Sequence, residues 1–219
     1  MSIEVKESDI QIPVADAILK GNLRIPPNAR GLVLFIHGSG SSRFSSRNRH
    51  VAELLNQAGF ATLLFDLLTD DENKIDLITR QYRFDIELLS QRSIAAVEYM
   101  KTSPDVSELP LGLFGASTGA AAALFAAQAL PDLISAVVSR GGRPDLAQAA
   151  LPYVQAPVLL IVGGHDYEVL ELNRMAQNLA AGECELTVIP GATHLFEEAD
   201  TLDLAADAAK EWFIHKLIA

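Results

Sequence analysis

The chain lacks several features that define common protein classes. It holds a single cysteine, Cys184, so no internal disulfide can form. It has 17 Lys and Arg residues and 28 Asp and Glu residues, which gives a net charge of −11. This deficit of positive charge argues against nucleic acid or an anionic membrane surface as a partner. No apolar run reaches the ~18 residues that a membrane-spanning helix needs.

Signals for export, metals and cofactors are also missing. The segment 1–7 has no charged-then-apolar signal pattern, so we expect a soluble cytoplasmic protein. No two histidines stand four residues apart, and no Gly-Lys-Ser/Thr follows a glycine-rich loop. We therefore expect no metal, no cofactor, no nucleic acid partner and no membrane partner, while the oligomeric state stays open.

What the chain does contain is a regular alternation of short apolar runs with longer segments of helical period. The predicted strands are Gly31–Ile36, Ala61–Phe65, Leu111–Phe114, Ser135–Ser139, Val158–Val162 and Glu185–Ile189, and several of them are nearly all apolar, as expected for parallel strands buried on both faces. The predicted helices are Ser46–Ala58, Gln81–Thr102, Thr118–Leu130, Pro144–Leu151, Val169–Ala181 and Thr201–Ile218. The alternation predicts an α/β protein with a doubly wound, mostly parallel central sheet and helices on both faces.

The remaining segments complete this arrangement. Residues Glu4–Val14 and Ala17–Ile25 are expected to form an antiparallel strand pair, and the charged segment Leu68–Thr79 is expected to be a loop. No linker, repeat or low-complexity tract interrupts the chain, and the spacing of the elements leaves no room for a large cap. We therefore expect a single domain over residues 1–219.

The segment Gly115-Ala116-Ser117-Thr118-Gly119 carries the most information about function. A strand, a Gly-x-Ser-x-Gly turn and a helix in this order are typical of the nucleophile elbow, which lifts a serine hydroxyl above the end of a strand. The serine takes a strained backbone with positive φ, and the flanking glycines leave room for it. Ser117 is therefore the candidate nucleophile. The alternative is a tight turn whose serine only caps the following helix.

A serine hydroxyl becomes a nucleophile only with a base in reach and an acid that orients the base. In open α/β sheets, functional groups gather on loops at the carboxyl ends of the strands. Asp166 and His194 each come just after a predicted strand downstream of Ser117, in the order Ser, Asp, His expected for a nucleophile-elbow enzyme. We predict that Asp166 orients His194 and that His194 takes the proton of Ser117. Separately, each of the two could be a capping or surface residue.

Alternatives to this acid and base stay open. Asp145 and Asp66 also follow predicted strands and are alternative acids. His165 stands beside Asp166 but precedes the last strand, so it is the weaker candidate base.

The glycine-rich loop His37-Gly38-Ser39-Gly40 follows the first buried strand. Such a loop can turn a backbone N–H group toward the serine, where the transition state of acyl transfer needs donors for its oxyanion. We predict that the N–H groups of Ser39 and Thr118 form this oxyanion hole. His37 is expected to hold the loop by hydrogen bonds.

Arginines surround the expected site. Arg140 and Arg143 follow the strand beside the serine strand, and either guanidinium could bind a substrate carboxylate. A salt bridge to a nearby acid or a solvated loop is the alternative for both. Arg43, Arg47 and Arg49 form either a solvated helix start or a basic rim around the mouth of the site.

The chain resembles the α/β-hydrolase superfamily in four segments, which are His37–Gly40, Gly115–Gly119, Gly163–Asp166 and Gly191–His194. Its small size without a cap is most similar to the dienelactone hydrolase-like group. The resemblance implies the α/β-hydrolase fold and hydrolysis of esters. Dienelactone hydrolases proper use a cysteine nucleophile, whereas this chain has Ser117, which points toward ordinary esters. The run Ser139–Ala147 resembles hydrolases that are sometimes fused to a phosphoribosyltransferase domain, and no such domain is present in this sequence.

Two functions of different classes follow from these residues. The first is a serine hydrolase that cleaves small carboxylic esters or thioesters through a Ser-His-Asp triad and an acyl-enzyme, with acyl transfer by the same triad as a variant. The second is a non-catalytic protein of the same fold that binds a small ligand. The complete set of Ser117, Asp166 and His194 favours the enzyme, because a binding protein has no physical need for all three.

Overall fold

The structure is a computed structural model that describes residues 5–218. Within this range the chain forms eight strands and six α-helices. The strands are β1 (Lys6–Pro13), β2 (Ile18–Ile25), β3 (Gly31–Ile36), β4 (Phe60–Phe65), β5 (Leu111–Ala116), β6 (Ile134–Arg140), β7 (Val158–Gly163) and β8 (Cys184–Ile189). The helices are α1 (Ser46–Gln57), α2 (Asp70–Thr79), α3 (Ile86–Thr102), α4 (Thr118–Ala129), α5 (Tyr167–Leu179) and α6 (Thr201–Leu217).

All eight strands belong to one sheet in the order β1-β2-β4-β3-β5-β6-β7-β8. The pairs β1–β2 and β2–β4 are antiparallel, and every other neighbouring pair is parallel. The predicted α/β architecture and the antiparallel opening pair are therefore confirmed. Glu4, which the sequence assigned to the first strand, lies outside the described residues together with the rest of the segment 1–4.

The strand order reverses direction between β3 and β5. From β3 the chain moves to β4 on one side and then returns to place β5 on the other side of β3. In open α/β sheets such a reversal leaves a crevice beyond the carboxyl ends of the two strands, where ligands bind. The loop after β3 and the turn after β5 both lie at this crevice.

Both faces of the sheet are covered, as the nearly continuous apolar strands require. In β3 the side chains of Leu32, Leu34 and Ile36 belong to the core that α3 and α4 cover. Val33 and Phe35 point to the opposite face and belong to the core beneath α1 and α6. The central strands are therefore fixed from two sides, and this gives the loops at their carboxyl ends a rigid base.

Two sequence-based expectations about local structure were wrong. The segment Pro144–Leu151 is not one α-helix but begins with a 3₁₀ turn at Pro144–Ala147, and a second turn follows at Leu151–Tyr153. Pro152 lacks the N–H that would continue a helical ladder through this segment, and a proline is tolerated where it stands, in the first turn of the second 3₁₀ segment. The expected loop Leu68–Thr79 contains the ten-residue helix α2.

The start of α2 is fixed by a capping box. Thr69 Oγ1 accepts the Glu72 N–H at 3.2 Å, and Glu72 Oε2 accepts the Thr69 N–H at 2.8 Å. Glu72 also accepts two hydrogen bonds, of 2.8 and 2.7 Å, from the fully buried Arg92 of α3. These bonds hold the pKa of Glu72 below its ordinary value. Arg92 reaches Asp16 at 2.7 Å as well, so this cluster ties α2, α3 and the β1–β2 turn together.

The end of α2 contacts the loop after β3. Asp76 is buried and accepts the N–H groups of Tyr82 and Arg83 at 2.8 and 3.0 Å, and its second oxygen accepts Arg83 Nε at 2.6 Å. The Arg83 guanidinium lies against Gly40, 3.2 Å from where a Cβ would stand. α2 therefore supports the glycine-rich loop, which the sequence did not indicate.

Replacing Glu72 with alanine tests the capping box and its link to Arg92. Glu72→Ala removes the cap partner and leaves Arg92 with Asp16 as its remaining carboxylate. We expect the free energy of unfolding, measured by urea titration, to fall by about 2 kcal/mol, less than the ~3–5 kcal/mol for a wholly uncompensated buried charge. Asp71→Ala, one residue away with an 88% exposed side chain, is the matched control and should change stability by less than ~0.5 kcal/mol. Equal losses for the two variants would contradict this assignment.

Candidate active site

The turn between β5 and α4 has the geometry of a nucleophile elbow. Ser117 has φ 52° and ψ −122°, a conformation that residues with a side chain rarely adopt. Its N–H donates to the Arg140 carbonyl at 3.2 Å, and its carbonyl accepts the N–H groups of Ala120 and Arg143 at 3.1 Å each. The Ser117 side chain makes no capping hydrogen bond to α4. The backbone is thus held in its strained form while the hydroxyl is free for another partner.

Gly115 and Gly119 make this turn sterically possible. A Cβ on Gly115 would stand 2.5 Å from the Cα of Ala120, inside the first turn of α4. A Cβ on Gly119 would overlap the carbonyl oxygens of Ile36 and His37 at the end of β3. Any side chain at either position would push α4 away from the sheet, so the Gly-x-Ser-x-Gly spacing follows directly from the packing.

Ser117, His194 and Asp166 are brought together over the carboxyl ends of β5, β7 and β8. Ser117 Oγ lies 3.3 Å from His194 Nε2, at the long end of hydrogen-bond distances. His194 Nδ1 lies 2.6 Å from Asp166 Oδ2. An ionised carboxylate can only accept, so Nδ1 carries the proton and Nε2 is left to accept from the serine hydroxyl. This order of donors and acceptors is the one that proton transfer from serine to histidine requires.

Asp166 stands at the N-cap position of α5 but does not cap the helix. Its side chain makes no hydrogen bond to the N–H groups of the first turn and is directed to His194 instead. An aspartate at this position ordinarily stabilises the helix by such a bond. The geometry therefore speaks against the interpretation of Asp166 as a capping residue.

The loop that carries His194 is fixed against the end of β7. The His165 N–H donates to the Ala192 carbonyl at 2.9 Å, and a Cβ on Gly163 would overlap that same carbonyl. On the other side of the histidine, Glu198 accepts the N–H of Thr193 at 3.0 Å and its hydroxyl at 2.6 Å. The imidazole is thus presented by a loop anchored before and after it.

The two predicted oxyanion donors lie next to each other. Thr118 is the first residue of α4, so its N–H has no carbonyl partner within the helix. The Ser39 N–H donates to Thr118 Oγ1 at 2.9 Å and thus already has a partner. A Cβ on Gly38 would stand 3.0 Å from the Ser117 Cβ, which shows how closely the glycine-rich loop approaches the elbow.

A cavity of about 250 Å³ opens beside Ser117. Its lining residues come from the loops after β3 and β8, from the carboxyl ends of β5 and β6 with the elbow serine, and from the N-terminal turn of α1; they are Gly38, Ser39, Ser41, Ser45, Arg47, Asn48, Ala116, Ser117, Arg140, His194 and Leu195. The two arginines that sequence analysis grouped together separate here. Arg140 lines the cavity, whereas the Arg143 side chain forms two hydrogen bonds of 2.8 Å with Asp145.

The alternative acids and base are engaged elsewhere. Asp66 accepts the Arg43 N–H at 2.7 Å and pairs with the Arg43 guanidinium. Asp145 is occupied by its pairing with Arg143. His165 is exposed, and its ring lies 6.1 Å from that of Tyr167.

His37 is buried at the end of β3 and holds the glycine-rich loop. Its Nδ1 donates to the Gly38 carbonyl at 2.9 Å, and its Nε2 accepts the Leu67 N–H at 3.0 Å. Because a backbone N–H needs an acceptor, these bonds fix the neutral tautomer. Burial lowers the pKa of His37 below its ordinary value. Among residues 5–218 there is no group of three or more His, Cys, Asp and Glu side chains that could hold a metal ion.

Asn48 is the main lining residue that sequence analysis missed. It is only 2% exposed, and its Oδ1 accepts from Arg140 Nη2 at 3.3 Å. An asparagine in a polar first turn carries no signal of burial. Its neighbour Arg47 lines the cavity. The sequence had left open whether Arg43, Arg47 and Arg49 form a solvated helix start or a basic rim around the mouth of the site.

The lone thiol takes no part in this site. Cys184 begins β8 and is half-buried, and burial raises its pKa to about 11. A thiol in that state is a poor nucleophile near neutral pH. Across the part of the chain that the structure describes, no helix is both long and apolar enough to cross a membrane.

Comparisons with known proteins identify the relatives of this chain. A protein of Mycobacterium tuberculosis (strain H37Rv), which carries the provisional name of a phosphoribosyl transferase, is 54% identical over 213 residues. These residues are 97% of this chain and 47% of that protein, so the chain spans about half the length of the curated relatives it matches. The crystal structure of a dienelactone hydrolase from Anabaena variabilis is 54% identical with a TM-score of 0.96, and covers 97% of this chain and 99% of its own.

A more distant structure supports the fold alone. Est1E from Butyrivibrio proteoclasticus is 20% identical with a TM-score of 0.82, over 96% of this chain and 99% of its own. The sheet order, the elbow and the three converging loops define an α/β-hydrolase fold. A model of the dienelactone hydrolase family matches residues 19–216. The chain belongs to this hydrolase family, as the four resembling segments indicated.

The burial of His37 makes the stability of the fold sensitive to acid. The pKa of His37 is lowered in the folded protein, so below pH 6.5 the unfolded chain gains a proton that the folded protein resists. The free energy of unfolding of the wild type should therefore fall as the pH drops below this value. His37→Gln lacks this titrating group, so its free energy of unfolding should fall less steeply, by up to about 1.4 kcal/mol less per pH unit. Urea unfolding between about pH 7.5 and about pH 5.5 measures this difference.

His215→Gln is the control, because it removes an exposed histidine of α6. If the wild type and His37→Gln lose stability in parallel over this range, His37 does not couple the fold to pH.

Proposed function

We propose that the chain is a serine hydrolase that cleaves small carboxylic esters or thioesters through an acyl-enzyme. One observation carries the proposal, namely the continuous hydrogen-bonded series from Ser117 Oγ through His194 to Asp166 beside an open cavity. Membership of the dienelactone hydrolase family supports a hydrolase in general. The identity of the nucleophile as serine, and the ester as substrate, are our proposal.

In the first half-reaction Ser117 Oγ attacks the carbonyl carbon of the ester. Its proton passes to His194 Nε2, and Asp166 stabilises the imidazolium that forms. The tetrahedral intermediate then collapses and the bond from carbon to the leaving oxygen or sulfur breaks. His194 gives its proton to the leaving group, which departs as an alcohol or thiol, and the acyl group stays on Ser117.

In the second half-reaction a water molecule takes the place of the leaving group. His194 accepts a proton from this water as the hydroxide attacks the acyl carbon, and it returns the proton to Ser117 Oγ as the acid is released. An alcohol, a thiol or a peroxide in place of water would give acyl transfer by the same steps.

The negative charge of both tetrahedral intermediates needs preorganised donors. The Thr118 N–H supplies the first, since it stands at the N-terminus of α4 where the helix dipole also favours an anion. The Ser39 N–H supplies the second. Its present acceptor is the Thr118 hydroxyl, 2.9 Å away, so the developing oxyanion would replace or share that acceptor.

The provisional name of the mycobacterial relative belongs to a longer protein and carries no part of this proposal. That protein is about twice the length spanned by this chain, and the matching half covers the family region 19–216. A non-catalytic binding protein is the remaining alternative. The direction of Asp166 toward His194, at the expense of a helix cap, favours catalysis over binding.

The rate of ester hydrolysis tests the three roles. With p-nitrophenyl butyrate, the wild type should release a burst of p-nitrophenol, and Ser117→Ala should not. Asp166→Asn should lower kcat by orders of magnitude, ~10⁴-fold in the serine-protease template, because the imidazole loses its orienting acceptor. Asp145→Asn is the control for an alternative acid and should keep kcat within about threefold of the wild type, since its pairing with Arg143 lies outside the series.

Two results would overturn these roles. Equal rates of ester hydrolysis by the wild type and Ser117→Ala would contradict the proposal that the chain is a serine hydrolase. A mild effect of Asp166→Asn together with a severe effect of Asp145→Asn or Asp66→Asn would move the role of the acid to that residue.

A further inference from the structure

Arg140 is a buried cation that the fold leaves without a counter-charge. It is 7% exposed, and within residues 5–218 no carboxylate forms an ion pair with it. Its Nη2 donates to Asn48 Oδ1 at 3.3 Å, while its Nε has no hydrogen-bond partner. The rings of Phe114 and Phe196 lie 6.0 and 5.6 Å from its guanidinium carbon, which compensates only weakly.

Other arginines of this chain show the ordinary arrangement. The equally buried Arg92 is bonded to both Glu72 and Asp16, and the less buried Arg143 is paired with Asp145. An unpaired buried charge costs stability, so the packing of the fold does not explain Arg140. Desolvation by burial, with a contribution from Arg47, lowers the pKa of Arg140 to about 10, so it still carries its charge at neutral pH.

The cavity into which Arg140 faces is built from donors. The second guanidinium, that of Arg47, lines the same cavity, and among residues 5–218 the carboxylate that it contacts is that of the exposed Glu197, at 3.4 Å. The first turn of α1 forms a wall of the cavity, and the dipole of a helix N-terminus favours anions. The Asn48 N–H already donates to Ser45 Oγ at 3.3 Å, so the N–H groups of Ser46 and Arg47 are the ones that the helix itself leaves without a partner. Among the described residues that line the cavity there is no Asp or Glu.

Arg140 also has a fixed position relative to the nucleophile. It pairs with Ala116 across the parallel strands β5 and β6, and its carbonyl accepts the Ser117 N–H at 3.2 Å. A group held by its guanidinium would therefore lie within one small cavity that also contains Ser117 and His194. Binding within the same cavity can orient an ester for attack.

We propose that Arg140, together with Arg47 and the N-terminus of α1, forms a subsite for an oxyanionic group of the substrate, so that the natural substrate is an ester carrying a carboxylate or a phosphate. This rests on the proposed hydrolase function. Both groups present two or more oxygens to a planar guanidinium and share the chemistry that this subsite recognises.

Paired esters test the subsite through kcat/KM. On the acyl side, p-nitrophenyl butyrate is compared with mono-p-nitrophenyl glutarate and with p-nitrophenyl 4-phosphonobutyrate. On the leaving-group side, phenyl butyrate is compared with 4-carboxyphenyl butyrate. We expect the wild type to prefer an anionic member of at least one pair, by roughly 10- to 100-fold, the value of one or two charge-assisted hydrogen bonds. The carboxylate and phosphonate arms distinguish the two kinds of anion.

Variants assign the preference to the arginine. Arg140→Met should abolish it while changing the rate on the neutral ester less than about threefold, and Arg140→Lys should retain part of it. Arg49→Met removes an exposed guanidinium of the same helix α1 outside the cavity and is the control for net charge. Because it removes an unpaired charge, Arg140→Met should also leave the Tm in anion-free buffer unchanged or raised. Equal rates within both pairs, or equal losses on neutral and anionic esters in Arg140→Met, would overturn the proposal.

Binding without turnover separates this proposal from the hydrolase function. Glutarate and inorganic phosphate are titrated into Ser117→Ala by calorimetry, at low ionic strength. We expect at least one of these anions to bind to Ser117→Ala. Its affinity should fall about tenfold or more in the double variant Ser117→Ala/Arg140→Met and should show no such loss in Ser117→Ala/Arg49→Met. Binding that depends on Arg140 in a protein that hydrolyses no ester would refute the hydrolase and keep the anion subsite. Failure of both anions to bind, or binding that ignores Arg140, would refute the subsite.

Discussion

The positive φ of Ser117 is the constraint on which the rest of the structure depends. A side-chain-bearing residue is held in this conformation because its N–H is bonded to the last residue of β6, and its carbonyl to the loop after β6 and to the first turn of α4. The same turn requires that nothing larger than glycine stands two residues to either side. This strained turn places the Ser117 hydroxyl above the end of the strand, where it does not cap the helix. Strained backbone of this kind clusters at functional sites, which agrees with the role proposed for Ser117.

The sheet converts this local geometry into a site by bringing distant loops to one edge. The reversal of strand order beside β3 places the glycine-rich loop against the elbow, and the parallel strands β6, β7 and β8 bring Arg140, Asp166 and His194 to the same edge. The charges near this edge are distributed unevenly. A chain of net charge −11 keeps two guanidiniums in the cavity next to its candidate nucleophile. Locally this field attracts an anion, although the protein as a whole repels one.

The sequence predicted the sheet and the three converging residues because both rest on local signals. Runs such as Leu32–Ile36 are apolar on both faces, and Asp166 follows such a run, whereas His194 follows the mixed edge strand Cys184–Ile189. The helix α2 was missed because half of its ten residues are charged and no apolar face stands out, although Thr69 and Glu72 have the spacing of a capping box. Arg140 and Arg143 could not be separated from the sequence. They are three residues apart, and only the path of the chain after β6 sends one into the cavity and gives the other to Asp145. The roles of the site residues remain predictions that the geometry supports.

The most direct measurement is covalent labelling of the intact protein with a fluorophosphonate, followed by peptide mapping. This reagent reacts with a serine whose hydroxyl is activated by a neighbouring base. The account predicts one adduct per chain on the peptide containing Ser117, with labelling slowed strongly in His194→Ala and in Asp166→Asn. An unlabelled protein, an adduct at another residue, or labelling of Ser117 at the same rate without His194 would contradict it.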